Sequence, residues 1–187
     1  MAALVAEHGS AVFGSKPAVE ERFERLARSI AYQQLAGAAA STIWERTRIA
    51  LDGEVTPEAV LRADPDSLRA AGLSGAKAAS ITDLSLKVEE GTVRLDRLAW
   101  RDNAAVIEEL TQVRGIGEWT AQMFLIFALR RLDVWPTGDL GVRKGYAIAY
   151  ATGETPSAQE LEPLGEPFTP YRSVAAWYFW RAADTRL

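Results

Sequence analysis

Few side chains in this sequence can do chemistry, and most of those that can are carboxylates. The 187 residues include no Cys and a single His, His8. That removes thiolate nucleophiles, zinc-thiolate sites, disulfides and iron-sulfur clusters together, and leaves neither a Ser-His-Asp triad nor a His-based metal site. What remains is carboxylates, Lys, hydroxyls and backbone groups. In the segment WPTGDLGVRKG, Asp139 follows a Pro-Thr-Gly loop and opens a helix. Asp is among the best N-cap residues, so a cap is the plain reading. Cap and catalyst are compatible roles for one carboxylate.

A second segment, LTQVRGIGEWTAQMFLIFAL, reads as a helix that stops, a tight Gly115-Ile116-Gly117 turn, and a helix that begins at once. Two glycines let the backbone approach a partner closely. The amides opening the second helix form an anion site aided by the helix dipole, and a nucleic-acid phosphate fits it without any Lys. The plain alternative is that Gly115 and Gly117 only make a short connection between two helices. The net charge of −4 argues mildly against a polyanionic partner. Between Arg114 and Lys144, however, Arg114, Arg130, Arg131, Arg143 and Lys144 outnumber Glu118, Asp133 and Asp139, and main-chain donors can also carry phosphate contacts.

The elements that must position these groups read as helices throughout. Thr56-Pro57, Asp64-Pro65 and Thr169-Pro170 each set a capping oxygen before a Pro at a first helical position, and Gly72 and Gly91 stand where helices end. Phe23, Leu26, Ile30 and Ala31 give a helix from Val19 to Gln33-Gln34. Further helices are predicted over about 38–49, 58–63, 66–71, 75–90, 103–110, 118–131, from Asp139, and over 170–183, with a loose N-terminal segment around His8. The fold class is all-α. At 48% hydrophobic and 25% charged residues the chain is an ordinary globular one, read as a single domain over 1–187. No apolar run reaches the roughly 18 to 20 residues of a membrane span and the start lacks a basic leader, so the expectation is a cytoplasmic protein.

Together, the segment from Leu110 to Leu129, the PTGDLGVRKG loop, IAYQQLAGAAA and PYRSVAAWYFW resemble, in order and spacing, the helix-hairpin-helix DNA glycosylase superfamily. The alkylbase branch, of the 3-methyladenine DNA glycosylase II type, is the nearest match, and the resemblance spans roughly residues 20 to 183. It implies two helical lobes with DNA bound in a cleft between them, a hairpin over about 104–131, and Asp139 as the catalytic carboxylate. It also implies a monomer acting on duplex DNA that carries alkylated bases.

Breaking an N-glycosidic bond develops positive charge on the sugar, which a fixed carboxylate stabilises. Ordinary glycosidases need a second carboxyl as general acid, but a base already alkylated on a ring nitrogen departs neutral, so one carboxylate suffices. Superfamily members that also cut the strand use a hairpin Lys; Trp119 stands at the matching position, which implies a hydrolase without lyase activity. Base removal requires rotation of the nucleotide out of the helix. The resemblance places Trp119 and Trp180 in the base pocket, with Met123 where an aromatic is expected and Tyr32 nearby. It places Gln33, Gln34 and Leu35 in the loop that enters the duplex, with Gln34 as the wedge. Arg114, Gly115, Gly117, Thr120 and Arg143 are the expected DNA contacts, and Lys77 is a further residue that could approach DNA. No cofactor is expected; a sodium or potassium ion on the carbonyls of Thr111, Val113 and Ile116 is implied. Glu118 departs from the basic or polar residue that close relatives carry and would repel phosphate. Two rival readings are a glycosylase for uracil, mismatched or oxidised bases, and a non-catalytic DNA-binding module in which Asp139 only caps.

Overall fold

The computed structural model describes residues 1–184, and it is helical, with no strand among the described residues. The helices are α1 (Ala2–His8), α2 (Glu21–Tyr32), α3 (Gly37–Ala50), α4 (Pro57–Arg62), α5 (Pro65–Ala70) and α6 (Gly75–Glu89). There follow α7 (Asn103–Thr111), α8 (Glu118–Phe127), α9 (Leu140–Tyr150), α10 (Ala158–Leu164) and α11 (Arg172–Asp184). Leu98–Trp100 and Glu166–Phe168 form single 3-10 turns. The chain divides into two compact units, Pro17–Phe124, and Met1–Lys16 with the described residues from Leu125 on.

Local chemistry sets most boundaries. The Thr56 hydroxyl accepts from the Ala59 amide at 3.1 Å, and the Asp64 carboxylate from the Asp66 amide at 3.0 Å, each just ahead of a Pro. Gly72 and Gly91, at φ 108° and 75°, follow α5 and α6 in the left-handed region that favours Gly at helix ends. In the unit 17–124, Leu26 and Ile30 of α2, Ile81 and Leu84 of α6, Leu98, and Val106 and Leu110 of α7 are fully buried. Each such side chain contributes about 1.5 to 3 kcal/mol of apolar burial.

The second unit packs α11 against α9 around Leu4, Trp135, Val142, Leu161, Trp177 and Phe179. Two small residues make that packing possible. A methyl at Gly145 would lie 1.8 Å from the Phe179 carbonyl oxygen, and one at Gly141 would lie 2.8 Å from Cδ1 of Trp180. The helices therefore meet backbone to backbone.

Three expectations are corrected here, and one further helix is found. The N-terminal segment is a helix, with Leu4 buried and Gly9 accepting from the Tyr178 hydroxyl at 2.8 Å. Helix α8 stops at Phe127 and does not reach Arg131, because Arg130 adopts φ 58° and the Arg131 amide turns back to the Leu125 carbonyl at 2.9 Å. Pro170 does not open α11: the Thr169-Pro170 peptide is cis and the helix starts at Arg172, where the Ala175 amide donates to the Tyr171 carbonyl. Helix α10 was not anticipated, although its Ser157 and Glu160 form a capping box whose spacing is visible in the sequence.

Candidate active site

Asp139 is the N-cap of α9. Its Oδ1 accepts from the Val142 amide at 2.8 Å and from the Trp180 indole Nε1 at 2.8 Å, and the residue is only 9% exposed. One oxygen thus has two fixed donors, one from the helix it opens and one from α11. The dipole of α9 favours negative charge at this end. Gly141 is what lets the indole come close, since any side chain there would meet Trp180 and, at 3.1 Å, the carboxylate itself. The Trp180 ring stacks on Phe127, with centroids 5.6 Å apart, and Phe13 lies 6.3 Å beyond Phe127. The carboxylate therefore has an aromatic group at its side, of which Phe127 is 39% exposed. Sequence reading put Trp180 in a pocket; the structure adds that its N-H holds the carboxylate. It also supplies Phe127, which the aromatic content of α8 alone did not distinguish from core.

The segment that opens α9 is anchored from behind. Asp133 accepts from Nε and Nη2 of Arg172 at 2.7 and 2.8 Å, and Ser173 accepts from the Val134 amide at 2.9 Å. The Arg172 guanidinium holds the Asp133 carboxyl below the usual range against the opposing effect of burial. Trp135 donates to the Leu161 carbonyl at 3.0 Å, fixing the residue that precedes Pro136. Arg143, expected at DNA, is half-buried and donates to the Pro156 carbonyl at 3.3 Å.

The turn of the hairpin and the start of α8 belong to the other unit. Gly115 has φ 77°, and a methyl on it would lie 2.5 Å from the Ser80 hydroxyl, so glycine is required there by both backbone and packing. Gly117 is different: nothing lies within 4 Å of where its Cβ would be. Its small size is not demanded by the fold and leaves the start of α8 open. The Arg114 amide donates to Asp83 at 2.7 Å, while the Arg114 side chain is exposed. Burial pushes the Asp83 carboxyl up, but the Lys87 ammonium and the Arg114 amide outweigh it and hold it below the usual range. Trp119 is 45% exposed on the first turn of α8, and Met123, four residues on, is half-buried.

Three residues expected near DNA also make hydrogen bonds within this unit. The Thr120 side chain, an expected DNA contact, is buried and accepts from Gln33 Nε2 at 3.3 Å. The Gln33 amide also donates to the Gly115 carbonyl at 2.9 Å, so this Gln ties loop to hairpin. Lys77 donates to the carbonyls of Ala31 and Gln33 at 2.8 and 2.7 Å. Gln34 and Leu35 stay outside these bonds: Gln34 is exposed at φ 56°, and Leu35 is 39% exposed. Tyr32 closes α2 with the Arg28 guanidinium 4.7 Å above its ring, and the Arg28 hydrogen bond lowers its phenol from the ordinary value.

At the proposed ion position, the Thr111 hydroxyl turns back to the Ile107 carbonyl at 2.8 Å, and the Val113 carbonyl accepts from the Ile116 amide at 3.0 Å. The Val113 carbonyl keeps a second lone pair. A neutral, all-carbonyl donor set of this kind fits a monovalent cation better than a divalent one.

The family model of the HhH-GPD superfamily base excision DNA repair protein matches residues 27–170. The chain is 36% identical over 167 residues, 88% of it and 73% of the relative, to DNA-3-methyladenine glycosylase 1 of Schizosaccharomyces pombe. Among solved structures, a DNA-3-methyladenine glycosidase from Bacillus halodurans superposes with a TM-score of 0.86 at 35% identity, covering 98% of this chain and 88% of that one. A Schizosaccharomyces pombe 3-methyladenine DNA glycosylase in complex with abasic DNA gives 0.84 at 33% identity, covering 100% and 91%.

Proposed function

The chain belongs to the HhH-GPD superfamily of base excision DNA repair proteins, and from that premise we propose that it is a monofunctional DNA glycosylase that hydrolyses the N-glycosidic bond of alkylated bases in duplex DNA. The observation that carries this reading is Asp139, a carboxylate held by the Val142 amide and the Trp180 indole. Such a preorganised charge needs no rearrangement as the sugar becomes electron-poor. The relative solved with abasic DNA supports DNA as partner.

In this mechanism the hairpin grips the strand through main-chain donors at the start of α8, where Gly117 leaves room for a phosphate. The damaged nucleotide rotates out of the stack, and Gln34 and Leu35 enter the space it leaves. An alkylated purine is cationic, so aromatic faces attract it; cation-π attraction of about 0.5 to 2 kcal/mol favours it over normal bases. Trp180, beside the carboxylate, is the proposed aromatic face. Asp139 stabilises the developing charge on the deoxyribose and orients the attacking water. The base leaves neutral and needs no second carboxyl. With Trp119 in place of an amine, no Schiff base forms on the hairpin, so the product is an intact strand with an abasic site. A monovalent cation on the carbonyls of Thr111, Val113 and Ile116 would add positive charge near the gripped phosphate. The protein acts as a monomer in the cytoplasm.

The test compares the wild-type protein with Asp139→Asn on duplexes containing 3-methyladenine, 7-methylguanine, uracil, a mismatch or an oxidised base. Asn caps helices about as well as Asp, so folding should be retained. Release of methylated purines should fall by about 100-fold or more, the cost of losing one preorganised charge interaction. Equal release by both proteins removes Asp139 from catalysis. Preferential release of another lesion moves the substrate class, and release of none with salt-dependent binding makes the protein a binding module.

A further inference from the structure

Within the unit 17–124, α6 carries a row of polar side chains. Lys77, Ser80, Asp83 and Lys87 recur at three- and four-residue spacing along α6 and so share a stripe of its surface. Each meets a segment proposed to touch DNA, or a neighbour that does. Ser80 packs against Gly115 of the turn, and Asp83 accepts from the Arg114 amide while paired with Lys87 at 2.7 Å. Lys77 reaches the other segment and donates to the Ala31 and Gln33 carbonyls, at the C-terminal end of α2. Those carbonyls lack helical partners and carry the negative end of the helix dipole, so an ammonium is well suited to them.

Gln33 is consequently held at both ends. Its carbonyl accepts from Lys77, and its side-chain amide donates to the Gly115 carbonyl and the Thr120 hydroxyl. The next residue, Gln34, sits in the left-handed region, an unfavourable conformation for a residue with a side chain, and is presented outward with Leu35. A segment that enters a base stack must withstand the cost of unstacking, and a loose loop would lose part of that in becoming ordered.

We propose that Lys77 is a positioning residue for lesion extraction: by clamping the end of α2 it fixes Gln34 and Leu35 in register with the hairpin turn, so that gripping the strand and entering the stack occur together. This rests on the glycosylase reading and adds to it a residue that acts through the loop and does not touch DNA. Burial lowers the Lys77 pKa, in keeping with an amine turned into the protein.

The test uses Lys77→Met, which keeps the aliphatic stem and deletes the ammonium. Single-turnover release of 7-methylguanine is measured from two duplexes, one with the lesion paired to cytosine and one with it opposite a tetrahydrofuran abasic analogue, where no base pair opposes extrusion. The rate on the paired lesion should fall about tenfold or more, as loss of orientation does. On the unpaired lesion it should fall less than about threefold, because the extrusion cost is already reduced. Gln33→Met, which cuts the link on the hairpin side, should give the same split and serves if Lys77→Met folds poorly. Equal losses on the two duplexes, or no loss on either, overturn the proposal. Failure of the wild-type protein to release any base of the lesion panel sinks the glycosylase reading, and this inference with it.

Discussion

Two hydrogen bonds fix the orientation of Asp139, the proposed catalytic carboxylate. The Trp180 indole and the Val142 amide converge on one carboxylate oxygen, so the side chain is fixed before any sugar arrives. Trp180→Phe keeps a ring to stack on Phe127 and deletes only the donor. Hydrogen bonds to charged groups contribute about 1.5 to 3 kcal/mol, so the single-turnover rate should drop by about one to two orders of magnitude. Affinity for abasic-site duplex should change little, because the deleted bond orients the carboxylate and does not hold DNA. A Trp180→Phe protein with unchanged rate and weakened binding would reassign Trp180 to the pocket wall alone.

At the scale of elements, the site depends on how closely α11 approaches α9. Gly145 has negative φ and sits inside a helix, where Ala would ordinarily be preferred by about 1 kcal/mol. Tertiary structure reverses the sign, since the added methyl would collide with the Phe179 main chain at 1.8 Å. Backbone cannot yield as a flexible side chain can. Gly145→Ala should therefore destabilise by roughly 3 kcal/mol or more, at the upper end of overpacking costs, read as a lower urea midpoint. It should also slow base release, because α11 carries the Trp180 donor. An unchanged midpoint would mean that the two helices can separate freely.

Over the whole molecule, net charge and acid response tell different stories. The charge of −4 is unusual for a DNA-binding protein, but the phosphate contacts proposed for the hairpin amides would leave no trace in the charge count. Acid stability is more local. The hydrogen-bonded Arg172 lowers the folded-state pKa of Asp133, so the folded chain binds that proton less tightly than the unfolded chain does. The resulting stability is complete above the unfolded value near about 4 and is lost as pH falls through the lower folded value. Asp133→Asn should lower the denaturation midpoint at pH 7 and flatten its decline below about pH 4. A variant whose acid limb matches wild type would show that other carboxylates govern it.

Much of this was legible in the residues themselves, because helix starts, Gly stops and the absence of Cys act locally and need no knowledge of the fold. Asp139 at a helix start, the GxG turn and the all-helical class follow from such short-range chemistry, and the order of the motifs carried the resemblance to the family. Long-range approach was not legible. That Trp180 donates to Asp139 across 41 positions, that Gln33 reaches Gly115 across 82, and that Lys77 serves α2 and not solvent are consequences of packing. Sequence periodicity says which face of a helix is apolar, but a polar side chain's partner depends on which backbone comes within about 3 Å of it, and only the assembled fold decides that.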